Sequence, residues 1–211
     1  MKTIVHEIPY NPASNLDQEI FTASSVFFDI ETTGFSPVHT SLYLIGCAYH
    51  IEQTLYIKQF FAETPEDEKE VLVAFLSLLE DFDTIITFNG IGFDIPYLKA
   101  KCSTYECKEH FADFTYVDIF KSISQIKHIL QLPNYKQKTI EAFLGIGRDD
   151  LYSGGELIEI YHSYVKEPRP DKLETLLLHN YEDVLDMPTL LPVLSYVHLF
   201  CGQYLSCSAS V

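Results

Sequence analysis

The chain has 211 residues, of which 47% are hydrophobic and 14% aromatic, and its net charge is −16. This composition excludes a disordered or low-complexity protein, and the charge argues against loose, non-specific binding of nucleic acid, which needs a basic surface. The length suits one domain over 1–211 with a sizeable buried core.

The first half of the sequence predicts a sheet that starts with a hairpin. Strands are predicted at 24–31, 42–51, 54–61 and 83–89 from apolar, β-branched and aromatic runs bounded by turn residues. A helix is predicted after Thr64, because Pro65 and three acids precede apolar residues at helical spacing. A short helix is predicted from near Phe93.

The second half predicts helices. A strand at 116–120 precedes a helix at 121–130, within a mostly helical accessory region at 121–170. A long helix at 172–196 is predicted to bend near Pro188 and Pro192. Residues 1–22 are predicted to be an N-terminal extension. The fold class is therefore α/β, a mixed sheet of antiparallel hairpin strands followed by parallel strands and flanked by helices.

The cellular location of the protein is predicted from patterns that the sequence lacks. No apolar run approaches the roughly 18 residues of a membrane span, and the first 20 residues do not follow the pattern of an export signal. The five cysteines include no C-x-x-C pair, as expected for free thiols in a reducing compartment. We predict a cytoplasmic protein that does not bind a membrane.

Asp29 and Glu31 are the strongest chemical signal. On a strand they point to one face with Phe27, while Phe28 and Ile30 point to the other. Neighbouring carboxylates repel, and hard divalent ions such as Mg²⁺ and Mn²⁺ prefer carboxylate oxygens. The pair therefore indicates either a metal site or the solvent-exposed end of a strand.

Two further segments carry acids. Asp94 follows the predicted strand at 83–89 and opens a helix, as a ligand or a helix cap would. His179 and Asp183 lie one helical turn apart and share a face, whereas Tyr181 must point elsewhere. Alone, the His179–Asp183 pair is also typical of a helix surface.

Taken together, the three segments resemble the motifs of the DEDD (DnaQ-like) 3′-to-5′ exonuclease superfamily. The matching stretches are Phe28 to Gly34, Asn89-Gly90 with Phe93 to Pro96, and His179 with Asp183-Val184. The second motif, together with the segments at 138–141 and 152–156, is most similar to the YprB-like branch. The resemblance spans 24–195 and implies a ribonuclease-H-like fold.

The resemblance also implies roles for individual residues. Asp29, Glu31, Asp94 and Asp183 would hold two divalent cations, Mg²⁺ or Mn²⁺. The residue one turn before Asp183 would orient or deprotonate the attacking water. The spacing is that of the tyrosine-using branch, yet the residue here is His179, and the histidine branch places its histidine where this chain has Leu178.

The implied substrate is single-stranded DNA or RNA, cleaved as an exonuclease or an endonuclease. Eleven of the 14 Lys and Arg residues fall within 99–172. Among them Lys136, Lys138 and Arg148 are candidate phosphate contacts, and Thr32 and Asn89 are candidate substrate contacts within the motifs. Two alternatives stay open, a nuclease for short oligonucleotides and a protein-binding module without activity. The acidic surface also suits a protein docking partner.

Overall fold

The computed structural model describes residues 1–12, 15–201 and 206–208. The strands of this part of the chain are β1 (Lys2–Pro9), β2 (Ser25–Thr32), β3 (Leu42–Ile51), β4 (Thr54–Phe61), β5 (Thr84–Thr87), β6 (Thr115–Asp118) and β7 (Ser206–Ser208). They form one sheet in the order β1-β4-β3-β2-β5-β6-β7. The first four strands in this order pair antiparallel, β2, β5 and β6 pair in parallel, and β7 is antiparallel to β6. The predicted mixed sheet is confirmed.

Helices cover both faces of the sheet. The helices of the described residues are α1 (Asn15–Ile20), α2 (Glu68–Leu79), α3 (Asp94–Tyr105), α4 (Ile119–Ser124), α5 (Lys127–Leu130), α6 (Gln137–Leu144), α7 (Gly154–Lys166), α8 (Pro170–Leu190) and α9 (Val193–Cys201). Most bounds agree with the predicted elements. The predicted helix at 172–196 is two helices, α8 and α9, bent by 44°.

The predicted N-terminal extension, 1–22, contains an edge strand of the sheet. β1 pairs with β4 along its whole length, from Lys2 opposite Phe61 to Pro9 opposite Thr54. The sequence did not indicate this strand because most of its side chains are exposed, so they lack the apolar alternation of a half-buried strand. The segment at 121–170 contains most of α4 and all of α5, α6 and α7.

The core has two layers, one on each face of the sheet. Val26, Phe28 and Ile30 of β2 pack in the layer that contains α2 and α3. Phe27 packs in the opposite layer, with α9 and the C-terminal half of α8. α8 crosses β2, β3 and β4, which places it directly over the strand that carries Asp29 and Glu31.

Among the described helices, no single one has the length and apolar composition needed to cross a bilayer, although α8 and α9 taken as a bent pair do.

Candidate active site

β2 aims two carboxylates at α8. Asp29 and Glu31 alternate with buried apolar residues, so their side chains lie on the same face as Phe27, as predicted. Glu31 keeps 12% of its side-chain surface exposed. Enclosure by protein atoms, and then the charge of Asp183, raise the pKa of both Asp29 and Glu31 well above their ordinary values. A strand end in free contact with solvent would not produce this shift.

Asp94 approaches the same centre from the start of α3. It is buried, and its Oδ1 accepts a hydrogen bond of 3.2 Å from the backbone N–H of Ile30, the residue between Asp29 and Glu31. Burial raises the pKa of Asp94 to about 7, although backbone hydrogen bonds oppose the shift and Asp118 and Asp183 add to it. Asp94 is therefore part of the acidic cluster as well as the first residue of a helix.

α8 supplies the third segment. The Nε2 atom of His179 lies 3.3 Å from Asp183 Oδ2 and 3.5 Å from Glu31 Oε1. Tyr181 points away, with its ring centroid 4.8 Å from that of His6 in β1. The structure thus brings Asp29, Glu31, Asp94, His179 and Asp183 together at one place.

The chemistry of this cluster suits a divalent cation. Ligand atoms of Glu31, His179 and Asp183 lie within 4.8 Å of one another, and Asp29 and Asp94 add further carboxylates to the same centre. Ionised carboxylates that repel one another in a partly enclosed site are stabilised by a cation. The residues therefore fit the divalent ions that the sequence resemblance implies.

The acids also predict how stability depends on pH. Asp94 has a folded-state pKa of about 7, against an ordinary value of 3.8, so the folded protein holds a proton that the unfolded chain has lost. The free energy of unfolding therefore falls as the pH rises through this window. In EDTA we expect the Tm to fall from pH 5 to pH 7.5 more steeply for wild type than for Asp94→Asn. Mn²⁺ should raise the Tm more at pH 7.5 than at pH 5.

Calorimetry of both proteins in the same buffers measures the two effects. Asp81→Asn, at an exposed residue outside the cluster, is the control and should follow the wild-type pH dependence. Parallel curves for wild type and Asp94→Asn would contradict the assignment of uncompensated charge to this centre.

Asn180 fixes the distance between α8 and β2. Its Nδ2 donates a hydrogen bond of 3.1 Å to Asp29 Oδ2, and its Oδ1 accepts one of 3.0 Å from Gln59 in β4. The amide lies over Gly46, the partner of Asp29 in β3. A Cβ atom at Gly46 would lie 2.1 Å from Asn180 Oδ1, so only glycine leaves room for this contact.

We expect Gly46→Ala to displace Asn180 and separate α8 from Asp29. Overpacking of this kind costs about 1–3 kcal/mol, and misplacement of α8 should lower any activity of the site as well. Chemical denaturation measures the cost. Gly155→Ala, where an added Cβ meets nothing within 4 Å, is the control and should leave stability unchanged or slightly higher. Equal stability of the two variants would show that Gly46 is not required.

Residues behind the acidic centre hold His179 in place. Asp150 Oδ2 lies 2.6 Å from His179 Nδ1 and 2.6 Å from Lys138 Nζ, while Asp150 Oδ1 accepts from the backbone N–H of Tyr152. The Asp150 side chain is 1% exposed. Burial alone would raise its pKa, but the hydrogen bonds from Lys138, Tyr152 and His179 hold the pKa below its ordinary value. An ionised carboxylate can only accept hydrogen bonds, so His179 donates through Nδ1.

Arg148 is the cation at the centre of these supporting residues. Its guanidinium lies 2.6 Å from Asp183 Oδ1, 3.1 Å from Glu141 Oε2 and 3.4 Å from Glu182 Oε2, with 7% of the side chain exposed. Burial alone would lower its pKa, but Asp183 and Glu141 raise it. Glu182 also accepts the backbone N–H groups of Asp149 and Asp150, which attaches the 148–150 turn to α8.

The predicted phosphate contacts differ in their surroundings. Arg148 is buried and its guanidinium is paired with Glu141, Glu182 and Asp183, which argues against its prediction as a phosphate contact. Lys138 is bound within the chain, by Asp150 and by the carbonyl of Tyr152 at 2.6 Å. Lys136 is exposed at the residue before α6 and stays a prediction.

The predicted substrate contacts within the motifs lie at the end of one strand and just after the end of another. Thr32 donates through Oγ1 to the carbonyl of Gly34 at 2.9 Å, at the end of β2. Asn89 follows β5 in a left-handed conformation, with φ of 66°, and its N–H donates to Asp118 Oδ1. Asp118 also accepts from Ile91 N–H, so it shapes the loop that leads to Asp94. Both contacts stay predictions.

Several residues of the site were not found from the sequence. They are Glu141, Asp150, Asn180 and Glu182, together with the internal role of Arg148. The segments at 138–141 and 152–156 were noted for their resemblance, but no local spacing pairs them with α8. Asn180 and Glu182 are neighbours of His179 and Asp183 in the sequence, which was the only available signal.

The chain is similar in sequence to known proteins. The chain is 29% identical over 177 residues to the uncharacterized protein YprB of Bacillus subtilis (strain 168), covering 82% of this chain and 41% of that protein. It is 24% identical over 166 residues to a DNA polymerase of Thermococcus sp. (strain 9oN-7), covering 69% of this chain and 21% of the polymerase. The chain thus spans less than half the length of these relatives.

Solved structures share the fold. The family B DNA polymerase of Pyrobaculum calidifontis superposes with a TM-score of 0.62 at 20% identity, covering 81% of this chain and 24% of the polymerase. Brucella melitensis NrnC with bound Mg²⁺ superposes with a TM-score of 0.51 at 17% identity, covering 88% of this chain and 78% of NrnC. A family model described as the RNase_H superfamily matches residues 26–195. The sheet, the helices over it and this match together show that the chain belongs to the RNase_H superfamily.

Proposed function

We propose that the chain is a metal-dependent 3′-to-5′ exonuclease that hydrolyses phosphodiester bonds of single-stranded DNA or RNA. The observation that carries the proposal is the convergence of acids from β2, α3 and α8 on one centre, where the pKa values of Asp29, Glu31 and Asp94 are raised. The Mg²⁺ bound to NrnC and the similarity to DNA polymerases support a divalent cation and a nucleic-acid substrate for this site.

Asp29, Glu31, Asp94 and Asp183 would hold two divalent cations, Mg²⁺ or Mn²⁺. Two such ions, when bound, supply positive charge at the attacking and leaving oxygens of a phosphodiester and make water a better nucleophile. The protein's part is to keep the carboxylates at fixed positions. Asn180 holds Asp29, the Ile30 N–H holds Asp94, and Arg148 holds one oxygen of Asp183.

In this proposal His179 takes a proton from an attacking water. An imidazole can act as a general base, and the Nε2 atom of His179 faces Glu31 and Asp183. The assignment as general base carries over from the resemblance and is a proposal.

The negative charge of the chain favours a substrate that extends over only a small part of the protein surface. Lys136 is a candidate to contact a phosphate outside the acidic centre, whereas Lys138 is committed to Asp150. Because the protein is strongly acidic, a substrate of only a few nucleotides would meet less repulsion than a long strand. A preference for short oligonucleotides is therefore the second candidate, favoured by the net charge of −16.

The test uses 5′-labelled single strands of DNA and RNA, of a few and of about thirty nucleotides, incubated with Mg²⁺, Mn²⁺ or EDTA. We expect a ladder that shortens from the 3′ end in either metal and no cleavage in EDTA. A strand blocked at its 3′ end should resist, and a circular single strand distinguishes endonuclease action. Folded protein that cleaves none of these substrates would contradict the proposal and favour the protein-binding module.

A further inference from the structure

His179 is buried, and its two ring nitrogens face different carboxylates. Its side chain is 9% exposed, and its Nδ1–H is donated to Asp150 over 2.6 Å. The remaining Nε2 faces Glu31 Oε1 and Asp183 Oδ2 across 3.5 Å and 3.3 Å. With Nδ1 carrying the proton in the neutral ring, the lone pair of Nε2 points between the two carboxylates.

The two oxygens of Asp183 have separate partners. Oδ1 lies 2.6 Å from Arg148 Nη1, and Oδ2 lies on the side of His179. Arg148 therefore fixes the rotation of the carboxylate and directs Oδ2 toward Nε2 and Glu31. Two carboxylates and one neutral imidazole carry a formal charge of −2, which matches a divalent cation.

The arrangement of Asp150, His179 and the carboxylates has a known chemical meaning. A histidine that binds a metal nearly always donates its other ring N–H to a carboxylate or carbonyl, which fixes the tautomer and makes the bound nitrogen a better donor. An imidazole nitrogen suits first-row transition ions, whereas Mg²⁺ prefers oxygen ligands and retains water.

We propose that His179 Nε2 is itself a metal ligand, oriented by Asp150, in a site that it shares with Glu31 and Asp183 and that binds a first-row transition ion in preference to Mg²⁺. The inference rests on the proposed function and changes one role within it. With Nε2 bound to the ion, His179 no longer takes a proton from water, and the proton goes to solvent or to a carboxylate of the site.

Asp150 is a positioning residue in this scheme, and asparagine cannot replace it. The two Asp150 oxygens accept from three donors, namely Tyr152 N–H on Oδ1 and both Lys138 Nζ and His179 Nδ1 on Oδ2. An asparagine has one acceptor oxygen, so an NH₂ group must face either Tyr152 or the Lys138–His179 pair. Asp150→Asn should therefore weaken the hydrogen bond that keeps the proton of His179 on Nδ1 and leaves Nε2 free to bind the ion.

The experiment measures metal binding without substrate. Pulsed electron paramagnetic resonance of the Mn²⁺-loaded full chain reports whether a nitrogen nucleus is bound to the ion. Samples with natural-abundance and ¹⁵N-labelled histidine identify an imidazole. Competition titrations give the affinities for Mg²⁺, Mn²⁺ and Co²⁺ in wild type, His179→Gln and Asp150→Asn, with His128→Gln at an exposed position as the control.

In wild type and His128→Gln we expect coupling from a histidine nitrogen and affinity that rises from Mg²⁺ to Mn²⁺ to Co²⁺. His179→Gln should lose the coupling, and both site variants should bind Co²⁺ about 10–100-fold more weakly, with a much smaller change for Mg²⁺. Circular dichroism checks that the variants are folded.

Three results would overturn the proposal. Mn²⁺ that binds without nitrogen coupling, and that is lost in Asp29→Asn, would remove His179 from the ligands while leaving the nuclease intact. Cleavage in Mg²⁺ without measurable Mn²⁺ binding would do the same. Absence of both metal binding and cleavage would contradict the proposed function itself.

Discussion

Asp29→Asn is expected to abolish metal-dependent hydrolysis while the protein stays folded. Asp29 is at the centre of the cluster, since burial and then the charges of Asp183, Glu31 and Asp94 raise its pKa. The asparagine keeps an oxygen that can accept the hydrogen bond from Asn180, so the contact between β2 and α8 survives. It removes one of the charges that hold a cation. We expect the rate to fall by at least about 10³-fold, equivalent to ~4 kcal/mol of activation free energy.

The same variant should be more stable than wild type in EDTA, because one source of repulsion is gone. Cleavage assays and thermal unfolding of a single preparation measure both effects. Asp81→Asn, at an exposed residue, should change neither. Near-normal activity of Asp29→Asn would show that the acids are not the catalytic centre, even if the fold is correct.

Arg148→Met is expected to be the most destabilising single substitution in the site. Methionine fills much of the same volume but leaves Glu141 and Asp183, which lie 3.1 Å and 2.6 Å from the guanidinium, without their cation. Removal of one partner from a buried ion pair costs about 3–5 kcal/mol, because the other partner keeps an uncompensated charge. Denaturant unfolding at pH 7.5 measures the loss.

A second variant separates lost charge from lost packing. Adding Glu141→Gln to Arg148→Met removes one orphaned carboxylate and should restore part of the stability, whereas Glu141→Gln alone should be destabilising. Arg169→Met is the matched control, because Arg169 is 54% exposed and its pair with Asp171 should contribute less than about 1 kcal/mol. A cost for Arg148→Met no larger than this would contradict the central role of the guanidinium.

The sheet was largely predictable because its inner strands carry strong local signals. β2, β3 and β4 are apolar or alternating, and the prolines near 188 and 192 marked the bend between α8 and α9. β1 was not predictable, because an exposed edge strand is recognised by its partner β4 rather than by its own pattern. Its pairing is a long-range property that single residues do not encode.

The candidate site was predictable only where one segment contained the signal. Asp29 with Glu31, and His179 with Asp183, have spacings that place two side chains on one face, and Asp94 follows a strand. The layer behind them depends on contacts such as Arg148 with Asp183 and Asp150 with His179, which join residues about thirty positions apart. No periodicity relates these positions, so the sequence indicated Arg148 as a phosphate contact and not as the partner of buried acids.

Glu182 attaches the 148–150 turn to α8, so the turn is held as rigidly as the helix. Both carboxylate oxygens of Glu182 receive main-chain amides, from Asp149 over 2.8 Å and from Asp150 over 2.9 Å. Backbone amides in an irregular segment usually exchange their hydrogens with water quickly. These two can exchange only when the segment separates from α8. Hydrogen exchange at these two amides would therefore report how often the turn separates from α8, and it can be measured without metal or substrate.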